Sequence, residues 1–297
     1  MQISTLANFI FLTKEADKKF QNLSVLTEKL GSGKNIDLFY SSPSGVYESE
    51  SLKGLISKDN LYKDNAKFAK TYLLTADDIL GKVYQTVLEI KTKLIQFANG
   101  IKNENGTTQI AVDEGVAKEA LESLKNTLLQ YANTKIGDYY IFSGNNPTQA
   151  PFDSNYNYQG GPDFHVKIGD NNKLLMYVDG SLVFGSGNNS IFAKIDNLIN
   201  NISDIDTLEQ GIGDMENFLK QIDEQRAKVG LAEQKLEQFD MTYSNLINTF
   251  KNRVSEIEDT DIVQTTTDYQ RIQTAYQAIL SIIGKQQTEG SYLLKYF

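Results

Sequence analysis

Apolar residues recur at intervals of three and four at both ends of this chain, and no other feature constrains its fold as strongly. Residues three and four apart share one face of an α-helix, so each end is predicted to form an amphipathic helix. The first stripe runs from Leu6 to Leu30. Gly31-Ser-Gly33 should end that helix, because glycine readily leaves right-handed helical geometry. The last stripe runs from Ile262 to Phe297.

The two terminal stripes need apolar partners. A long amphipathic helix buries its stripe against another helix. We therefore expect the terminal helices to pair with each other and with neighbouring copies, whereas an intramolecular pair in a soluble globular protein is the alternative. The predicted assembly interface comprises Leu6, Phe9, Phe20, Leu23, Leu30, Ile272, Tyr276, Ile279, Ile283, Leu293 and Phe297.

Three further helices are predicted between these ends. Apolar positions with helical spacing run from Leu61 to Phe97, from about Val112 to Thr134, and from Leu208 to Ile257. In the third helix, Val116 is expected on the apolar side together with Leu121 and Leu128. The acidic stretch 258–261 should separate the fourth helix from the last one.

The middle of the chain has a different composition. Between Ile136 and Ser190, glycine, asparagine, proline and aromatic residues crowd together. Short β-compatible runs, Phe164–Ile168, Leu174–Val178 and Ser181–Phe184, alternate with turn signals. Asp179-Gly180 between two of these runs predicts a hairpin turn.

The predicted fold is mainly α with an inserted small β domain. The helices should form a long antiparallel bundle or coiled coil built from discontinuous N- and C-terminal halves. The expected domains are a terminal coiled-coil assembly domain (1–45 plus 258–297), a helical rod domain (46–135 plus 190–257) and the inserted β domain (136–189).

Composition excludes several classes of function. The chain has 29 basic and 38 acidic side chains and a formal charge of −9, which argues against nucleic acid or an anionic membrane as a partner. It has no cysteine and a single histidine, His165, so zinc chemistry and histidine-dependent triads are not expected. We therefore predict no catalytic residues, no metal and no cofactor. The first residues lack the basic and apolar regions of a signal peptide, so export is expected to need no cleaved signal.

Three local patterns have a functional and a structural interpretation. Gly31-Ser-Gly-Lys34 lacks the spacing of a phosphate-binding loop, and a helix cap is favoured. The carboxylates of 256–261 could bind a cation, but a turn in which Thr260 or Asp261 caps the last helix is favoured. The aromatic residues of 139–158 could bind carbohydrate or protein, but a role as the core of the β domain is favoured.

Several of these segments resemble the bacterial flagellin family. Leu30-Gly-Ser-Gly-Lys-Asn-Ile36 is similar to the family's Leu-Ser-Ser-Gly-Lys-Arg-Ile, although Ser41-Ser-Pro43 departs from the Asp-Asp-Pro that follows it. Arg226–Gly230, Ser255–Asp261 and the closing segment 286–297 also match. Within the family, Ala132–Gly144 followed by Pro151-Phe152 is more similar to hook–filament junction subunits than to filament flagellins.

This resemblance implies a structural subunit of the extracellular flagellum, exported unfolded by the type III apparatus. It implies a homo-oligomeric ring between hook and filament, in contact with the first hook-associated protein and with flagellin. An export chaperone would hold the chain before secretion. The alternative within the family is a flagellin, the main filament subunit.

Overall fold

The computed structural model describes residues 2–36, 42–101 and 113–294. Helices dominate the described chain, and a small β region of two two-stranded sheets interrupts them, so the predicted fold class is confirmed. The helices are α1 (Gln2–Ser32), α2 (Pro43–Ile101), α3 (Glu114–Ala132), α4 (Ser181–Phe184), α5 (Ile191–Asn200), α6 (Ile205–Glu258) and α7 (Ile262–Leu294). The strands are β1 (Lys135–Ile136), β2 (Tyr139–Tyr140), β3 (Phe164–Lys167) and β4 (Lys173–Tyr177). None of the described helices has an apolar stretch of the length that a bilayer crossing requires.

The chain forms two compact units. The first contains residues 1–58 and 246–297, and the second contains residues 59–245. The division into three domains predicted from the sequence is finer than this, and it stays a prediction.

In the second unit, α2 and α6 run antiparallel. Lys63 Nζ lies 3.4 Å from Asp240 Oδ1, and Lys91 Nζ lies 2.9 Å from Glu216 Oε1, so residue numbers rise on α2 as they fall on α6. Aliphatic side chains from several helices form the fully buried centre of this unit. They include Leu73, Leu80, Ile90, Leu94, Leu121, Leu128 and Ile195.

The aromatic residues of the β region mainly form core, as the sequence favoured. The ring of Phe152 lies 5.8 Å from that of Phe184 and 5.4 Å from that of Phe192, and all three residues are buried. Phe142 is fully buried against Phe184 as well. Tyr139 and Phe164 are exceptions, because both are exposed.

The β hairpin forms at a different turn from the predicted one. Strands β3 and β4 pair antiparallel across the turn at 169–172, where Ile168 N donates to Asn172 O at 3.0 Å. The predicted strand Ser181–Phe184 is wrong, because this segment is helix α4. The Asp179 carboxylate accepts hydrogen bonds from Ser181 N at 2.8 Å and Ser181 Oγ at 2.6 Å, which turns the chain into a helix rather than a hairpin.

Two helix starts also differ from the prediction. Helix α2 begins at Pro43 and not near Leu61, because Ser42 Oγ accepts a hydrogen bond from Gly45 N and proline favours the first helical position. Helix α3 begins at Glu114, and Asp113 caps it. The predicted start at Val112 lies outside the described residues. Val116 is exposed, and Ala117 takes the buried position beside it.

Candidate assembly site: the paired terminal helices

Helices α1 and α7 contact each other along the first unit in an antiparallel pair. The rings of Phe20 and Tyr276 lie 6.1 Å apart between centroids. Nearer the other end of the pair, Lys34 forms an isolated antiparallel bridge with Asp259. The predicted pairing of the two terminal stripes within the chain therefore occurs.

The predicted interface residues lie on this pair but are incompletely covered. Phe20 is exposed, and Phe9, Leu23, Leu30, Ile272, Tyr276, Ile279 and Ile283 are half-buried. The side chains of Leu6 and Leu293 and the whole of Phe297 lie outside the described part of the chain. Among the described side chains of α1 and α7, only Ala16 and Thr265 are buried, and both are small. The helix pair thus leaves its large apolar residues accessible to a partner.

Further apolar side chains on the same helices were missed by the sequence analysis. Ile10 and Phe11 on α1 are 58% and 59% exposed, and Leu280 and Ile282 on α7 are exposed as well. They stand beside the predicted residues in sequence, and Ile10, Leu280 and Ile282 each follow one of those residues by three or four positions. Apolar residues flanking a stripe are the signal that could have identified a second apolar face.

A shallow groove of about 640 Å³ runs between the two helices. Phe20, Leu23 and Thr27 line it from α1, and Tyr269 and Tyr276 line it from α7. Glu28, Gln273 and Gln277 also line the groove, so its walls are partly apolar and partly polar.

The turn after α1 is fixed to the turn between α6 and α7 by backbone hydrogen bonds. Gly33 has a φ of +69°, and its N–H caps α1 by donating to Lys29 O at 2.8 Å. Thr260 N donates to Gly33 O at 2.9 Å, and Asn35 N donates to Glu258 O at 2.7 Å. These bonds set which residues of the two helices meet.

Charged side chains surround these backbone hydrogen bonds. We call this region the clasp, and it comprises Gly33–Asn35, Ser49, Lys53 and Glu258–Thr260. Lys34 Nζ lies 2.5 Å from Asp259 Oδ1, and Lys53 Nζ lies 2.5 Å from Glu258 Oε1. Ser49 Oγ also donates to Glu258 Oε1. The clasp therefore joins helix α2 to the turn after α1 and to the turn between α6 and α7.

Contacts within the clasp shift the pKa values of its charged side chains. Partial burial favours a higher pKa for Glu258, but hydrogen bonds from Lys53 and Ser49 and the charges of Lys53 and Lys34 outweigh it, so the pKa of this carboxyl is lowered. The hydrogen bond from Lys34 lowers the pKa of Asp259, and the same bond raises the pKa of Lys34.

These contacts bear on the alternative interpretations of two sequence patterns, Gly31–Lys34 and the acidic stretch 256–261. Lys34 forms an ion pair with Asp259, and Gly33 caps helix α1. Gly31-Ser-Gly-Lys34 therefore has a structural role. Asp261 caps α7 by accepting from Gln264 N at 3.0 Å, as predicted. Among residues 2–36, 42–101 and 113–294, no group of three or more His, Cys, Asp or Glu residues is arranged to hold a metal ion.

Comparison with known proteins gives matches over most of the chain. Residues 3–147 match the bacterial flagellin N-terminal helical region, and residues 212–297 match the bacterial flagellin C-terminal helical region. The flagellar filament 33 kDa core protein of Treponema phagedenis is 23% identical over 267 residues, which cover 89% of each chain.

Solved structures with the same fold come from Legionella pneumophila. Its flagellar hook-associated protein-3 superposes with a TM-score of 0.60 at 15% identity and covers 70% of this chain and 98% of its own. A structure described as the flagellar junction protein gives a TM-score of 0.55 at 15% identity and covers 71% of this chain and 100% of its own. With both helical regions matched, the chain belongs to the bacterial flagellin family, whose members are structural subunits of flagella.

Proposed function

We propose that this chain forms the junction between hook and filament by helix–helix polymerisation, without catalytic turnover. The observation that carries the proposal is the terminal helix pair, whose large apolar side chains stay accessible in the single chain. Burying a large apolar side chain stabilises an assembly by roughly 1.5–3 kcal/mol. Ile10, Phe11 and Phe20, each more than half exposed, could therefore supply several such contributions to a contact between copies.

The choice of the junction within the flagellum is supported by two independent features. The segment Ala132–Gly144 with Pro151-Phe152 resembles junction subunits, and it forms β1, β2 and the buried turn around Phe142. The two solved structures from Legionella pneumophila carry hook-associated and junction descriptions.

A filament flagellin is the second candidate. The relative from Treponema phagedenis is a filament core protein and matches most of this chain. Both candidates use the same terminal helices, so they differ in position along the flagellum and in copy number rather than in chemistry.

In the junction role the chain would form a homo-oligomeric ring on the first hook-associated protein and would present its other side to flagellin. An export chaperone would hold it before secretion, and the chain would leave the cell without a cleaved signal. The ring would bury the predicted interface residues between subunits.

Immunogold electron microscopy of purified flagella separates the candidates. The antibody is raised against 136–190, which lies outside the terminal helices. A single narrow band between hook and filament is expected. Labelling along the whole filament would identify a flagellin, and unlabelled flagella would exclude both candidates.

A further inference from the structure

Three lysines come together at the β3–β4 hairpin. Lys167, the last residue of β3, is the cross-strand partner of Lys173, the first residue of β4. Such partners lie about 5 Å apart between Cα atoms, on the same face of the sheet. Lys235 of α6 joins them, because its Nζ donates a hydrogen bond to Lys173 O at 2.8 Å. All three residues are exposed, and we call them the hairpin lysines.

The hairpin lysines have no counter-ion within the described part of the chain. None of them forms an ion pair there, whereas Lys228, two turns before Lys235 on α6, pairs with Asp163 at 3.5 Å. The carboxylate of the hairpin turn, Asp170, accepts a hydrogen bond from Tyr62 Oη at 3.0 Å. The three positive charges are therefore available to an anion from another molecule.

The carboxylates nearest to Lys235 in sequence do not reach this surface. Glu233 and Glu237 each lie two residues from Lys235 on α6, and residues two apart on a helix do not face each other. Glu233 is instead close enough to Asp77 and Glu237 for their charges to raise its pKa, after the larger effect of burial.

The placement of Lys167 opposite Lys173 is unfavourable for the hairpin itself. Like charges directly opposite each other destabilise an antiparallel pair, and a two-stranded sheet has little stability of its own. The chain carries 38 acidic side chains, yet none pairs with either lysine in the described residues. A bound anion would remove this repulsion, which gives the lysine pair a role that packing within the chain does not.

The groups beside the hairpin lysines suit a sugar. Asn171 and Asn172 are exposed in the turn, and their amides can donate to and accept from hydroxyl groups. A register shift between Phe164 and His165 accompanies the exposure of both of these consecutive residues, and Phe164 is 38% exposed. An exposed aromatic ring beside polar groups can pack against the C–H face of a sugar ring.

The spacing of these groups favours a polymer over a single sugar. Phe164 lies three residues before Lys167, which is about 10 Å along an extended strand. Each exposed ion pair contributes little by itself, so several acidic groups must bind together to give a measurable affinity. A chain of acidic sugars supplies both the length and the repeated charge.

We propose that the β3–β4 hairpin binds an acidic polysaccharide. The carboxylates of the polymer pair with Lys167, Lys173 and Lys235, and a sugar ring packs on Phe164. This binding goes beyond the proposed function, because it involves the β region and not the terminal helices. It is measured on the single chain, so a failure of the junction role would leave it unchanged.

Titration calorimetry of the purified full-length chain with three polymers tests the ligand class. Carboxymethyl dextran carries carboxylates on sugars, dextran has the same sugars without charge, and poly-glutamate has carboxylates on a peptide. We expect carboxymethyl dextran to bind, with an affinity that falls as salt is added, and at least tenfold more tightly than either of the other polymers. Absence of binding, or equally tight binding of poly-glutamate or dextran, would overturn the proposal.

Substitution of the lysine pair tests the site. The double variant K167Q and K173Q should bind carboxymethyl dextran at least tenfold more weakly, and K167R with K173R should retain binding because the charges remain. The control is K220Q with K251Q, at two exposed lysines of α6, and its affinity should stay within twofold of the natural chain. Unchanged affinity of the K167Q and K173Q variant would rule out the hairpin as the site.

Two single variants keep the result interpretable. If circular dichroism shows that the double glutamine variant unfolds, K235Q replaces it, since this exposed lysine lies on a helix, and its affinity should also fall. F164L should weaken binding of carboxymethyl dextran and leave the weaker binding of poly-glutamate unchanged. Unaltered binding of carboxymethyl dextran by both single variants would contradict the proposed contacts.

Discussion

Two neighbouring glycines have opposite roles at the end of α1. Gly31 lies within the helix, and an added Cβ there would meet no atom within 4 Å. Gly33 also has open space around it, but its φ of +69° is a conformation that other residues adopt at a cost. The same substitution should therefore have opposite signs at the two positions.

We expect Gly33→Ala to destabilise the α1–α7 pair by about 1 kcal/mol and Gly31→Ala to stabilise it by about 0.5–1 kcal/mol. Hydrogen exchange of the α1 amides in the full chain measures both effects. Equal protection in the two variants would contradict the capping role of Gly33.

Glu258 is the central carboxylate of the clasp, since it accepts from both Lys53 and Ser49. Glu258→Gln should cost about 1–2 kcal/mol of local stability, because charged hydrogen bonds are lost. Glu256→Gln is the matched control, since that side chain is 67% exposed and exposed pairs contribute less than about 1 kcal/mol.

The lowered pKa of Glu258 also predicts a pH dependence. A carboxyl with a depressed folded pKa contributes stability above its unfolded pKa of about 4.3 and loses it as pH falls through the folded value. Protection of α1 should therefore decrease below about pH 4, and Glu258→Gln should flatten this decrease. An unchanged acid profile in the variant would assign the effect to other carboxyls.

At the scale of elements, one polar triad joins α3, α5 and the loop that carries Tyr156. Asp196 on α5 accepts from Lys125 Nζ at 2.6 Å and from Tyr156 Oη at 2.9 Å. Tyr156 has a φ of +60°, a conformation that is uncommon outside glycine. The triad holds this backbone conformation against the helices.

Asp196→Ala should destabilise the second unit by about 2–3 kcal/mol, because it leaves the mostly buried Lys125 without its anion. Adding Lys125→Met should recover part of that loss, since the unpaired charge is then removed. Urea unfolding of the full chain, followed by circular dichroism, measures the cycle. If the double variant loses as much unfolding free energy as the two single variants together, the two side chains act independently.

At the scale of the whole molecule, we expect assembly and folding to depend on different apolar residues. The core side chains of the second unit are buried, whereas Ile10 and Phe11 on α1 are exposed. Ile10→Ser with Phe11→Ser should reduce incorporation into flagella at least tenfold and leave the urea midpoint of the second unit unchanged. Leu231→Ser, at a position 66% exposed on α6, is the control and should leave incorporation unaltered.

The sequence alone determined the helical architecture, because a stripe with a spacing of three and four residues is a local property of the chain. The sequence was sufficient to predict that the long helices exist, that a break precedes α7 and that Asp261 can cap that helix. It also carried the family resemblance through short motifs such as Leu30–Ile36. The start of α2 could have been predicted as well, since Ser42-Pro43 is a cap followed by proline.

The tertiary structure decided what depends on partners distant in sequence. Ser181–Phe184 has a strand-like composition, but as a helix it buries Phe184 against the rings of Phe142 and Phe152. The clasp joins Lys34 to Asp259, across a separation in sequence that the spacing of apolar residues does not predict. Spacing predicts which face of a helix is apolar, whereas only the packed chain decides how much of that face stays exposed for another subunit.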